Sequence, residues 1–139
     1  MASIFTRIIN GEIPGRFVWR DEQAVAFLDV RPLAPGHCLV VPTLEIDRWT
    51  DLPGSVATHL MAVAHAVANA QQLVFSPPRV GLMIAGFEVP HVHIHVFPTT
   101  GMATFDFALA NASPDPTELD TYAIALKAAL RAAGHAAVA

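Results

Sequence analysis

Cysteine is nearly absent: Cys38 is the only one in 139 residues, so no internal disulfide can form. It falls in an apolar, strand-like run, which suits a buried and inert thiol. Charge is sparse as well. Charged side chains make up 14% of the chain and the formal balance is −4, which argues against a nucleic-acid polymer as partner, since that needs a basic surface. A small phosphate ligand needs only a local positive field and stays open. No apolar run reaches the length of a membrane span. The opening Met-Ala-Ser-Ile-Phe-Thr-Arg lacks the basic start and long apolar stretch of a secretory signal. The expectation is a cytoplasmic protein with no membrane partner. Repeats and a second-domain boundary are also missing, and 53% of the residues are apolar. Residues 1–139 read as one domain with a sizeable core.

What is present is histidine, and three of the seven stand in one run. In Pro90-His91-Val92-His93-Ile94-His95-Val96-Phe97-Pro98 the imidazoles alternate with branched apolar residues. Alternate side chains of a β-strand point to opposite faces, so His91, His93 and His95 line one face, roughly 6 to 7 Å apart. Such a row is costly, because imidazoles near their titration point repel one another when charged. It reads as a solvated polar face, as a metal site, or as an anion site where one imidazole attacks phosphorus. Spacing alone does not separate the last two.

Hydrophobic periodicity supplies the frame. A short helical turn is expected over 6–10, ended at Asn10-Gly11, then a hairpin of strands 17–20 and 24–28. Asp29 follows directly, and the stiff Pro32-to-Gly36 loop leads to a strand over 37–42. Val56, Leu60, Val63, Val67 and Val74 keep one helical face apolar over 53–74. His59 and His65 fall on different sides of that helix and form no metal pair. A strand over 79–85, a bend at Gly86 and the triad strand follow. Residues 102–116 form a long loop with Phe105 and Phe107 as aromatic anchors, and a helix over 117–133 closes the chain. Hairpins with helices between and after them predict an α+β fold, an antiparallel sheet of about five strands carrying a long central helix and a C-terminal helix.

The histidine run resembles the signature of the histidine triad (HIT) nucleotide hydrolases and transferases. Two upstream stretches, Ala26 to Pro32 and Ala34 to Pro42, are similar to the segments that precede it in that family, as is the opening Ser3 to Pro14. The resemblance runs from about residue 3 to residue 98. It implies a HIT-like fold, a homodimer, no cofactor, and a purine nucleotide such as an adenosine 5′-phosphate derivative as substrate. Phosphoramidates or phosphoanhydrides would be cleaved at the α-phosphate through a nucleotidyl-histidine intermediate. On this reading His93 is the nucleophile. His91 orients it through its backbone, and His37 braces it together with His91. His95 binds the phosphate oxygens, and a histidine carries the leaving group's proton. Asp29 accepts from the ribose hydroxyls, while Ile4, Phe5, Phe27, Leu28 and Val30 offer apolar surface to the base.

The pattern departs from the family in two places. Phe87 and Glu88 stand at its Gln-Ser positions, and no asparagine precedes them, so the leaving-group side is remodelled. Glu88 joins the expected nucleotide-binding set; facing the ligand, it would favour cationic leaving groups over polyphosphate tails. Some bacterial members hold a structural zinc at positions that here read Ser3, Thr6 and Glu45. No metal is expected there. The rival is a nucleotide-binding or metal-binding module without catalysis, with Glu88 as an added ligand.

Overall fold

The protein is described by a computed structural model covering residues 1–139. The elements run α1 (Ile4–Ile9), β1 (Phe17–Arg20), β2 (Ala24–Leu28), β3 (Cys38–Pro42), α2 (Gly54–Phe75), β4 (Arg79–Met83), β5 (Ile94–Thr99) and α3 (Pro116–Ala132). The strands pair antiparallel throughout in the order β1-β2-β3-β5-β4, so the expected α+β fold is present. No helix is long and apolar enough to cross a membrane.

Strand alternation gives the sheet two buried faces. Ala24, Ala26, Leu28, Cys38, Val40, Ile94 and Val96 point to one side, where α2 and α3 cover them in a core of 21 buried residues. Val25, Phe27, Leu39 and Val41 point to the other, where Phe5 and Ile8 of α1 complete a cluster of six. His95 pairs with Leu39 across β3 and β5, which sets it on the α1 side. Cys38 is fully buried and its thiol pKa is pushed up by burial, as an inert cysteine requires.

Several boundaries differ from the sequence reading, each for a local reason. Helix α1 starts at Ile4 because the Ser3 hydroxyl accepts from the Thr6 N–H at 3.0 Å and caps it. The triad is not one strand: β5 begins only at Ile94. Its ladder to β3 ends at the pair Val40–Ile94, and the residues before it are held by other bonds. The His91 N–H reaches the Val89 carbonyl and the Val92 N–H reaches the Ile46 carbonyl, both at 2.8 Å. Strand β4 stops at Met83, opposite His95, close to where its partner begins. The loop over 102–116 contains two short 3-10 turns, Met102–Phe105 and Phe107–Leu109.

The two sheet edges are treated differently. The C-terminal tail covers β1: Val138 bridges Trp19, and Arg20 donates its N–H to the Ala137 carbonyl at 2.8 Å. Strand β4 has no such cover.

Candidate active site

Four buried histidines, His37, His91, His93 and His95, meet on the α1 side of the sheet. Backbone groups that can only donate or only accept fix the tautomers of His37, His91 and His93 directly, and that of His95 through His37. His37 is placed by the tight turn at Gly36 (φ +85°), where a Cβ would come within 2.2 Å of the Phe75 ring. Its Nδ1 receives the Leu33 N–H at 2.9 Å, so Nδ1 carries the lone pair and Nε2 the proton. That proton faces His95 Nδ1 at 3.0 Å, so His95 accepts there and bears its own proton on Nε2. His91 Nε2 sits 2.8 Å from the Pro42 carbonyl and must donate; its Nδ1 then accepts from the Ser3 hydroxyl at 2.7 Å. His93 Nδ1 donates to the His91 carbonyl at 2.8 Å, which leaves the lone pair on Nε2.

Neither His93 Nε2 nor His95 Nε2 has a protein partner, and neither is sealed from solvent, since Gln71 Oε1 is the one fully buried side-chain polar atom without a bond. Phe5 packs edge-on against His93 (4.9 Å between centroids) and against His91 (5.8 Å). The rings of His93 and His95 are 4.9 Å apart, closer than the spacing of alternate residues along an extended strand.

Burial favours the neutral form of three of the four. It lowers the pKa of His37 to about 3 and of His95 to about 4, with neighbouring imidazoles adding to the effect. It lowers that of His91 too, against the Pro42 hydrogen bond. A His95 of this kind is neutral at pH 7 and binds oxygen as an N–H donor. The sequence reading gave the leaving group's proton to a histidine without naming which; His95, held neutral, is not a charged acid at that pH. His37 also differs from expectation, since it braces His95 and not His93.

Asp29 ends the hairpin strand with its Oδ1 accepting from the Arg31 N–H at 2.8 Å. Burial raises its pKa to about 6, opposed by that bond and assisted by the charge of Glu88. It borders a hollow of about 510 Å³ lined mostly by apolar groups, a size that suits a small organic ligand. Of the expected base contacts, Ile4, Phe5, Phe27, Leu28 and Val30 all border it. Leu28 belongs to the core of the opposite face, and Val30 is exposed. Ile8, Pro14, Gly15, Arg16, Leu39 and Asp120 complete the wall and were not foreseen. Apolar spacing could have flagged Ile8 and Leu39; nothing in the sequence ties Asp120 of α3 to residue 16.

On the other side of the imidazoles lies a hollow of about 90 Å³ bordered by His93, His95, Phe87, Glu88 and Phe107. Phe107 packs against His95 at 4.8 Å. Glu88 and Phe87 are exposed at its mouth.

Two metal readings can be tested on donor chemistry. Asp29, His37 and His95 bring three ligand atoms within 4.8 Å of one another. The Leu33 N–H, however, holds the His37 lone pair on Nδ1, so the Nε2 that faces the cluster carries a proton and cannot ligate. The second is the zinc position. There the Glu45 carboxylate accepts from the Ser3 N–H (2.7 Å) and the Thr6 hydroxyl (2.6 Å), and the Ser3 hydroxyl donates to His91. Hydroxyls in place of thiolates do not fit zinc, and their hydrogen bonds already join these residues. The Thr6 bond, followed by that of Ser3, lowers the Glu45 pKa to about 2.

The family model of the HIT domain matches residues 10–102, more than half of the chain. The chain belongs to the HIT family. An uncharacterised HIT-like protein of Methanocaldococcus jannaschii is 38% identical over 99 residues, 68% of this chain and 77% of that protein. The adenosine 5′-monophosphoramidase of Saccharomyces cerevisiae is 36% identical over 98 residues, 70% of this chain and 62% of its own length. Among solved structures, a zinc-bound histidine triad family protein from Mycobacterium smegmatis superposes with a TM-score of 0.81 at 27% identity, covering 96% of each chain. The HIT relatives of this chain thus include a nucleotide hydrolase, and the fold is the HIT fold.

Proposed function

We propose that this HIT protein cleaves nucleoside 5′-phosphate derivatives at the α-phosphorus by way of a nucleotidyl-His93 intermediate. The observation that carries the reading is the hydrogen bond from His93 Nδ1 to the His91 carbonyl, which leaves the Nε2 lone pair free at the hollow. Attack by Nε2 forms an N–P bond as the bond to the leaving group breaks, and the leaving group takes a proton from water in the cleft. The imidazolium so formed keeps its Nδ1–H on the His91 carbonyl, a charge-assisted bond. His95 Nε2–H donates to a phosphoryl oxygen as charge builds there, held in place by His37. Water then attacks phosphorus, the N–P bond breaks, and the mononucleotide leaves a neutral His93.

The nucleoside lies in the larger hollow, ribose at Asp29 and a purine base against Phe5, Phe27 and Ile4. The leaving group lies toward Phe87, Glu88 and Phe107. A carboxylate there attracts cationic amines and repels polyphosphate tails, so phosphoramidates and similar adenylates are the preferred class. A cytoplasmic homodimer joined at the uncovered β4 edge completes the reading, supported by the pairing groups that such an edge leaves free. The test is rapid quench of the enzyme with an adenosine 5′-phosphoramidate, followed by peptide mass spectrometry. An adenylyl group on His93 is expected; turnover without any adduct under conditions that trap histidine phosphoramidates overturns the scheme.

A further inference from the structure

The larger hollow has three charged residues on its wall: Asp29, Arg16 and Asp120. With Asp29 given to the ribose, Arg16 and Asp120 are the charged groups left to meet the base. They come from distant parts of the chain. Arg16 precedes β1, and Asp120 lies in α3, beyond the residues that match the family. Arg16 Nε donates to Asp120 Oδ1 at 2.7 Å. The second carboxylate oxygen and both terminal guanidinium nitrogens have no partner in the chain.

The side chains are 31% and 63% exposed, and ion pairs as open as this contribute little to stability. Their place on the wall gives them a different use. An aromatic base lodged among apolar side chains leaves its polar edge in need of partners, and a site built to bond such an edge rejects analogues that lack it. Arg16 holds the carboxylate by one oxygen and leaves the other without a partner.

We propose that Asp120, oriented by Arg16, reads the base by accepting a hydrogen bond from the exocyclic amino group of an aminopurine. Asp120 is thus a specificity residue supplied by the C-terminal helix. The inference rests on the nucleotide reading above and adds to it the class of base. Adenine and guanine carry the amino group; unsubstituted purine and hypoxanthine do not.

The test is direct binding of four nucleotides to the full chain by calorimetry. AMP is compared with purine riboside 5′-monophosphate and GMP with IMP, with ribose 5-phosphate as the base-free reference. In the wild type the amino group is expected to improve affinity about tenfold in at least one pair, the scale of one hydrogen bond to a charged group. In Asp120→Ala that preference falls to within about twofold, and Asp120→Asn, which keeps an acceptor oxygen, restores part of it. Ribose 5-phosphate binds all three proteins alike. An amino preference that survives in Asp120→Ala, or is missing from the wild type, overturns the proposal. A wild type that binds none of the nucleotides overturns the nucleotide reading and this inference with it.

Discussion

The face of the sheet under α2 and α3 is filled by 21 buried apolar residues, whereas the face under α1 combines six with four buried imidazoles. Apolar packing asks only for volume and shape, and a side chain there is held by its contacts. A buried polar ring must also find partners of the right kind. On the helix side Gln71 illustrates the looser case, donating to the Gly36 and Val96 carbonyls at 2.8 and 2.9 Å while its Oε1 goes unpaired. On the site face each bond fixes the next. The Leu33 N–H sets His37, which sets His95, and the Pro42 and His91 carbonyls set His91 and His93. The first face holds the protein together; the second chooses where its protons sit.

The contrast breaks most visibly at His93. Its replacement by alanine should lower turnover about a thousandfold or more while nucleotide affinity stays within about tenfold, because nucleophile and pocket are separate parts. Steady-state rates and binding titrations on the same preparations check this, and comparable turnover refutes the assignment. Leu60→Ala probes the other face. Leu60 is 1% exposed in the main core, and its truncation should cost about 2–5 kcal/mol in urea unfolding. The pH dependence of turnover should not move. A shifted profile would mean that the faces are coupled.

Acid should act first on the site face. His37 and His95 are held neutral, with pKa values brought down to about 3 and 4 by burial. Their groups titrate near 6.5 when unfolded, so stability is full above that pH and declines as pH falls toward those values. For His37 alone the loss between pH 6.5 and 4.5 is about 2–3 kcal/mol. Asp29 runs the opposite way. Burial raises its pKa to about 6, so its ionised form burdens the folded state above that pH and the burden lifts as pH falls through it. Asp29→Asn should therefore be more stable than wild type by about 1–3 kcal/mol at pH 8. That advantage should shrink as pH falls from 6 toward 4. Denaturant melts at pH 8, 6 and 4.5 decide it; a constant difference across pH contradicts the burial of Asp29.

The same variant separates ligand parts. Asp29→Asn should weaken nucleoside monophosphate binding by about 1.5–3 kcal/mol, the range for hydrogen bonds to a charged acceptor, and hardly touch inorganic phosphate. Equal losses for both would remove the ribose role. The smallest effect is expected at Glu88, which is exposed. Glu88→Ser should narrow by about threefold the preference for a cationic amidate over a dinucleoside polyphosphate, since screened charges act weakly. An unchanged ratio of kcat/KM values would make it an ordinary surface acid.

Much of the fold was legible because it rests on period and punctuation. The hairpin over 17–28 and the central helix were bounded by turn residues and a repeating apolar face, and they lie within a residue of expectation. The site was less so. Alternation in the triad run suggested a continuous strand, but the backbone bends over residues 87–91, and bonds from His91 to Val89 and from Val92 to Ile46 stand in place of the ladder. Sequence spacing carries no sign of those bonds. Nor does it reveal that His37 meets His95 across two strands, that Ser3 caps α1 and also holds His91, or that Asp120 reaches the pocket from α3. All of these are long-range contacts between elements, set by how the sheet and helices stack.

The most direct test reads the protons themselves. Long-range ¹⁵N–¹H correlation spectra of the histidine rings at pH 7 distinguish the two neutral tautomers from the charged form. His93 is expected with its proton on Nδ1 and a bare Nε2, and His37, His91 and His95 with theirs on Nε2. A His93 whose neutral form is protonated on Nε2 contradicts the ordering of the site.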